Sequence, residues 1–337
     1  MAIKVIVKNI TVAIIVSLLV GTLISYTQLR FEYFVVKRFW ERTPKEEIEE
    51  LTKHGFKIEK PTPPTLPRIL NRTKKYILNI KDLFEERFFE KWLKVSPIGA
   101  LLTTLLVLSL SMILIFIGGL ILGTLAGFKG GTLDKLVLNL APIFSAIPGW
   151  FWGVLFLWLL WWRLDLFTID FQRHVLTVQA KGESMVLGYL KASAIPVLTL
   201  FFTNVLPYAF IVRNIVRKER INYFITVDRL KGFPESRIIR KMLRLTLPEF
   251  LIHTLNNLMI LLSVEIAIEK VFTIPGIGYV FMNAVGIIPV MTDEGIRTTI
   301  IFNPPLVYYS ALGIIAIYTI FNTAIELMIN FLEPRRG

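Results

Sequence analysis

Long apolar runs alternate along the chain with polar or charged stretches. The runs 9–29, 98–127, 138–162, 192–212, 249–273 and 305–331 are the six that stand out. Each reaches the roughly 20 residues a helix needs to cross a hydrocarbon core of about 30 Å. The pattern predicts an all-α polytopic membrane protein with six transmembrane helices. Lys4 and Lys8 precede the first run. That run is too long for a signal-peptide core and no small-x-small cleavage site follows it, so 1–29 reads as a retained first span. The second run is rich in Gly, Ser and Ala, which let helices approach closely. The third contains IPGWFWGVLFLWLLWW, where Pro148 and Gly149 predict a kink and the aromatic cluster suits an interface belt.

Residues 30–97 break the pattern. TPKEEIEELTKHG reads as helix and KPTPPTLP as an extended linker. Further on, Ile77, Ile80, Leu83, Phe84, Phe88 and Trp92 fall near helical spacing, fitting a segment that lies on the membrane or packs on the external face of the spans. The chain thus divides into a first span (1–29), an extracytoplasmic segment (30–97) and a five-helix core (98–337) that carries a basic loop at 213–248.

Composition narrows the class. A 54% hydrophobic content and a mean hydropathy of +0.61 exclude an ordinary soluble domain, whose surface must be polar. The net charge of +13 is clustered beside the spans, which points to the positive-inside bias and away from nucleic acid. Arg213 to Arg244 holds ten Lys or Arg against Glu219, Asp228 and Glu235, so this connection belongs in the cytoplasm. Alternation then places both termini in the cytoplasm, with 163–191 and 274–304 outside. The basic 30–97 segment also falls outside. Its 68 residues exceed the roughly 60 over which the rule is counted, so it does not overturn the topology. There is no Cys, and His54, His174 and His253 are scattered, so no metal site is expected. Neither G-x4-G-K-[ST] nor H-E-x-x-H nor G-x-S-x-G occurs. If ATP drives this protein, another chain must bind it.

Within the loop, Gly232-Phe233-Pro234 marks an elbow: Gly ends a helix in the left-handed conformation, and Pro opens the next. Two short helices are predicted, roughly 219–231 and 234–247. In the second, Ile238, Ile239, Met242, Leu243 and Leu245 share one face, while Arg237, Arg240, Lys241 and Arg244 share the other. Alone, this pattern also fits a basic amphipathic helix on anionic lipid.

The stretch VDRLKGFPESRIIRKMLRLTLP, then EKVFTIPGIGYVF, then ELMINFLEPRR resembles the permease subunit of a binding-protein-dependent ABC importer, most closely the B-type subunit of the dipeptide/oligopeptide branch. The resemblance covers most of 95–337 and is thin over 1–94, although TPKEEIEELTKHG resembles the external segment after the first span. The family loop reads EAA-x3-G followed by a Leu-Pro-like pair. Gly232 matches the Gly and Leu247-Pro248 the pair, while Thr226, Val227 and Asp228 replace the triplet. The resemblance implies a type I ABC importer permease fold in the cytoplasmic membrane. It implies that the helix before Gly232 sits in a groove of the ATPase, with Thr226, Val227, Asp228, Arg229, Lys231 and Gly232 as coupling residues. The implied partners are a second homologous permease, two ATP-binding subunits, an extracytoplasmic solute-binding protein and membrane lipid. ATP and Mg would be bound by the ATPase subunits, and no cofactor by this chain.

Polar residues inside the spans are the remaining candidates. Glu265 and Glu269 share a face of the fifth span, and Glu326 lies in the sixth with Asn322 one turn before it. Such groups either line a substrate path or pair with neighbouring helices; Glu269 also has the option of the outer interface beside Lys270. The family carries acids at positions matching Glu269 and Glu326. The expected solutes are di- or oligopeptides, with β-linked oligosaccharides as the alternative. Trp150, Trp152, Trp158, Trp161 and Trp162 read as lipid or interface residues rather than sugar-stacking platforms. A membrane-embedded transferase would need an acidic or His cluster at one face, for which 163–191 offers Asp165, Asp170, His174 and Glu183 without a recognised spacing. A secondary transporter predicts internal repeats, and none is evident.

Overall fold

In the computed structural model the described residues are 2–54, 60–78, 96–163, 171–292 and 295–332, with only the backbone described at 161, 172 and 286–301. Asp165, Asp170, the Glu333-Pro334-Arg335 terminus and positions 80–92 lie outside them. Helix α1 (Ala2–Arg42) is followed by α2 (Lys45–Lys53), α3 (Leu66–Leu78), α4 (Pro97–Lys129), α5 (Gly131–Ala146) and α6 (Gly149–Leu157), which runs on into a π-helical turn at Trp158–Arg163. Then come α7 (Phe171–Ala180), α8 (Met185–Arg220), α9 (Tyr223–Leu230), α10 (Glu235–Val271) and α11 (Ile277–Ala284). An antiparallel hairpin, β1 (Val285–Thr292) and β2 (Gly295–Phe302), leads into α12 (Pro304–Leu332).

Helices α1, α4, α8, α10 and α12 are each long and apolar enough to cross a membrane, and α5 with α6 adds a sixth crossing if that bent pair is one span. The architecture is the expected all-α, multi-span one, with four differences of detail. First, α1 runs well past residue 29. No Gly or Pro occurs between Gly21 and Pro44, so nothing stops its 41 residues, about 60 Å of helix. Second, the kink expected at Pro148-Gly149 is a full break of 94°. Ile147 is pushed into extended geometry by the following proline (φ −89°, ψ 125°). Third, the amphipathic helix expected at 234–247 is continuous with the fifth span. Pro248 sits inside α10, and the Thr246 hydroxyl donates to the Leu243 carbonyl just before it. Fourth, the 274–304 connection contains the hairpin, whose Ile, Val and Thr content favours strands. Val285 pairs with Phe302 and Thr292 with Gly295.

The centre of the packing is the contact between α4 and α8. Gly119, Gly123 and Gly127 recur every four residues on α4 and face Tyr208, Ala209, Val212, Arg213 and Val216 of α8. A Cβ on Gly123 would lie 2.5 Å from the Ala209 carbonyl oxygen, and one on Gly127 would lie 2.7 Å from that of Arg213. Backbone is touching backbone, the geometry small residues permit in a membrane. Below this contact, Phe128, Val212, Val216, Ile225, Ile238, Met242 and Phe250 form one buried cluster that joins α4, α8, α9 and α10. At the other end, α3 lies on α1. Arg72 pairs with Glu32 at 3.1 Å, the Thr73 hydroxyl donates to Ser25 at 2.9 Å, and the Tyr76 ring meets Tyr308 of α12 at 5.8 Å.

Gly123→Val should force α4 and α8 apart, costing roughly 1–3 kcal/mol as overpacking does. Thermal unfolding of the purified protein should show a clear loss. Gly153→Ala, where the nearest heavy atom to a new Cβ is 3.3 Å away, should stay near wild type. Equal melting of the two variants would refute the close-contact reading.

Candidate functional site

The elbow between α9 and α10 is closed by backbone hydrogen bonds of the Schellman type. Phe233 N–H donates to the Asp228 carbonyl at 3.2 Å, and Gly232 N–H donates to that of Arg229 at 2.9 Å. Gly232 has φ +73°, the left-handed geometry this turn requires, and open space where a Cβ would be. A side chain there would be strained by backbone conformation alone. Pro234 then starts α10, and its carbonyl accepts from Arg237 N–H at 3.0 Å.

Side chains fix this elbow to the spans. Asp228 is 7% exposed and pairs with Lys241 of α10 at 2.5 Å, and that ammonium also lies 4.9 Å from the Phe224 ring. Arg220 and Arg229 sit over the Phe128 ring at 5.9 and 5.6 Å, and Arg237 over Phe233 at 3.9 Å. Arg213 and Arg217 of α8 reach Asp134 in the first turn of α5, at 2.5 and 3.5 Å. The inner face of α9 is therefore Ile225 and Asp228. Thr226, Arg229, Lys231 and Gly232 are exposed and Val227 is half-buried. Of the six expected coupling residues, Asp228 is thus turned inward as an anchor. Three apolar side chains absent from that expectation point outward: Ile221, Tyr223 and Leu230, at 83%, 82% and 83% exposure.

The four polar residues singled out in the spans do not meet at one site. Glu269 is fully buried and caps α11. Thr104 of α4 donates its hydroxyl to Glu269 Oε1 at 2.5 Å and accepts from Ile277 N–H at 2.8 Å, while Tyr279 N–H donates to Glu269 Oε2 at 3.0 Å. The residue preceding α11 is Gly276, which has no side chain to satisfy the orphan N–H groups, so a distant carboxylate does it. A Cβ on Gly276 would collide with that carboxylate, and one on Gly278 would lie 2.6 Å from Ile266 Cα. These contacts account for both glycines of the Pro-Gly-Ile-Gly turn. Just before it, Thr273 takes the left-handed position that ends α10 (φ 52°), a strained choice for a β-branched residue.

Glu265, one turn back, is also fully buried, and neither of its carboxylate oxygens has a hydrogen-bond partner among the described residues. Glu326 binds Lys8 at 2.8 Å and accepts from Asn9 at 3.1 Å, tying α12 to the start of α1. Asn322 lines a cavity with Glu326 between those two helices. Outside the spans, Glu183 pairs with Lys191 at 2.5 Å. The His174 imidazole is held below its usual range by burial first, and then by Lys181 and Lys191. Among the described residues, no three His, Cys, Asp or Glu side chains come together as metal ligands.

Residues 119–337 match the family described as binding-protein-dependent transport system inner membrane component. The chain belongs to that family. It is a permease subunit of an ABC importer, a multi-pass protein of the cytoplasmic membrane, and the membrane component of a transporter rather than a catalytic subunit. Membership brings with it, in general terms, an ATPase and a binding protein as partners. The permease is similar to the dipeptide transport system permease protein DppB of Lactococcus lactis subsp. cremoris, being 25% identical over 255 residues that cover 70% of this chain and 72% of that protein.

Glu269→Ala should leave the Tyr279 N–H of α11 and the Thr104 hydroxyl of α4 without their buried acceptor, at roughly 1–3 kcal/mol each. The permease should become less abundant and melt lower. Glu269→Gln keeps one carbonyl oxygen for Tyr279 N–H and should recover part of the loss. A Glu269→Ala protein of wild-type stability with altered solute preference would instead make this residue part of the path.

Proposed function

We propose that this permease imports di- or oligopeptides delivered by an extracytoplasmic solute-binding protein, in a complex with a second homologous permease and two ATP-binding subunits. ATP and Mg belong to those subunits, and this chain binds no cofactor of its own. The peptide reading is supported by the name of the lactococcal relative. The observation that carries the mechanism is the elbow. Helix α9 is locked to α4 and α10 on its inner face while Tyr223 and Leu230 are exposed on its outer one, with Ile221 exposed beside them at the end of α8. A rigid helix with an apolar outer face is what a groove on the ATPase needs in order to push the spans. ATP-driven closure would move α9, and α10 would carry the motion across the membrane in alternating access. The four exposed loop residues, Thr226, Arg229, Lys231 and Gly232, would form the rim of this contact.

The ten basic residues between Arg213 and Arg244 support a cytoplasmic elbow. Both termini go to the same side. In support, Lys8 near the start of α1 pairs with Glu326 near the end of α12, while the Tyr309 hydroxyl at the start of α12 donates to the Pro97 carbonyl at the start of α4. On this reading the chain is a first span, an external segment at 30–97 that includes the far end of α1, and a core at 98–337. The second reading is the same machinery importing β-linked oligosaccharides, and the uncharged lining of a cavity described below favours keeping it.

Two experiments test this. The chain has no Cys, so Lys181→Cys should react with an impermeant maleimide from outside and Ser236→Cys only from inside; the reverse would invert the topology. Gly232→Val should leave the protein in the membrane and paired with the other permease. Its cost, roughly 1–2 kcal/mol of left-handed strain, falls on the elbow. It should weaken ATPase association, or abolish stimulation of ATP hydrolysis by loaded binding protein. Wild-type stimulation and uptake would reduce this loop to a lipid-facing hairpin.

A further inference from the structure

The break in the third span opens a cavity of about 520 Å³ between α5, α6, α8 and α10. It falls in the size range of small-molecule sites. It is separate from the elbow, and none of Glu265, Glu269, Asn322 and Glu326 lines it. Its polar lining comes from Ser145, Thr203, Asn204, Tyr208, His253 and Asn257, and no Asp, Glu, Lys or Arg contributes. The walls between these groups are apolar, and Phe144 on one wall is held by stacking on Trp152 with ring centroids 4.6 Å apart and planes 5° from parallel.

The polar groups are positioned by their own helices. Asn257 Nδ2 donates to the His253 carbonyl at 2.9 Å and lies 3.1 Å from the His253 ring nitrogens. Asn204 Nδ2 donates to the Leu200 carbonyl at 2.8 Å and to the Thr203 hydroxyl at 2.9 Å. Both amides thus spend their donors at home, and neither side-chain oxygen accepts from a protein group among the described residues. The Tyr208 ring is fixed edge-on to Phe250 and His253, at 5.6 and 5.4 Å between centroids. A set of oriented neutral acceptors and donors against apolar walls, with two helix ends at the rim, is the kind of place a broken span makes for a solute.

We propose that this cavity is a solute subsite of the permease, and that it takes the uncharged, hydrogen-bonding interior of an oligomeric solute. Either peptide amides or sugar hydroxyls have that chemistry. Ionised groups do not fit, because a charge buried among these residues would have no counter-charge. This rests on the importer reading above. Asn204 and Asn257 accept hydrogen bonds from the passing solute, and Ser145 stands at the exposed mouth.

The test is uptake by the full complex, reconstituted with its binding protein and ATPase, with trialanine and cellotriose as separate probes. Asn257→Leu and Asn204→Leu should each raise the half-saturating concentration for the transported probe at least fivefold. Ser145→Trp, a change at an exposed position, should lower maximal uptake by obstruction. Co-purification with the ATPase reports that each variant folds and assembles. A response confined to trialanine assigns the subsite to peptide amides, and one confined to cellotriose to sugar hydroxyls. Wild-type kinetics in all three assembled variants would overturn the subsite and leave the importer reading standing. A wild-type complex that takes up neither probe would overturn the subsite together with the peptide-or-oligosaccharide reading it rests on.

Discussion

The packing of this protein depends on the close approach of α4 and α8. Three glycines let one backbone lie on another, and the ends of both helices that carry the elbow are fixed as a result. Phe128 at the end of α4 then becomes a shelf for Arg220 and Arg229, and Asp134 just beyond it receives Arg213 and Arg217. The elbow is built on that shelf. Without the glycine contact, Ile225 and Met242 would have no common surface to bury against, and the position of α9 would not be defined relative to the membrane. Lipid supplies no hydrophobic force between helices, so packing of this kind has to come from shape.

Helix α10 connects the two ends of the account. Its 37 residues are about 55 Å of continuous helix, running from the elbow to the Glu269 cap. At the far end, that carboxylate holds α11 and α4 together through Thr104. A displacement at the elbow would therefore reach α11 and the hairpin beyond it, as well as the cavity wall formed by His253, Asn257 and Val264. The buried carboxylates of Glu265 and Glu269 fit a lever better than a pore: they lie among packed helices and are reached by no solvent.

Much of this was legible in the order of residues. Five of the six expected spans correspond to single long helices, because an apolar run of sufficient length has few alternatives in a bilayer. Gly232 announced its turn, since Gly-Phe-Pro leaves little else for the backbone to do. Other features depend on residues far apart in sequence. Thr104 and Glu269 are 165 positions apart, and nothing near either one signals the pair. Pro148 signalled a bend but not its 94°, and nothing near it announced that Gly149 would seat against Val264 of α10 at the break. Pro248 looked like a boundary, yet α10 passes through it because the helix is supported on both sides by packing around Met242 and Phe250. His253 and Asn257 stood four apart on one helix face, and the missing information was the cavity that gives that face a purpose.

The central claim is that the outer face of α9 is the surface on which the ATPase acts. Since the chain has no Cys, Leu230→Cys in the assembled complex is a clean probe, read by a short thiol cross-linker against single cysteines placed in the ATPase groove. The account predicts a cross-link from position 230 whose yield changes when ATP binds, and none from Lys181→Cys in the turn between α7 and α8. A complex that assembles and transports while position 230 never cross-links, and remains freely reactive to a bulky thiol reagent, would contradict it.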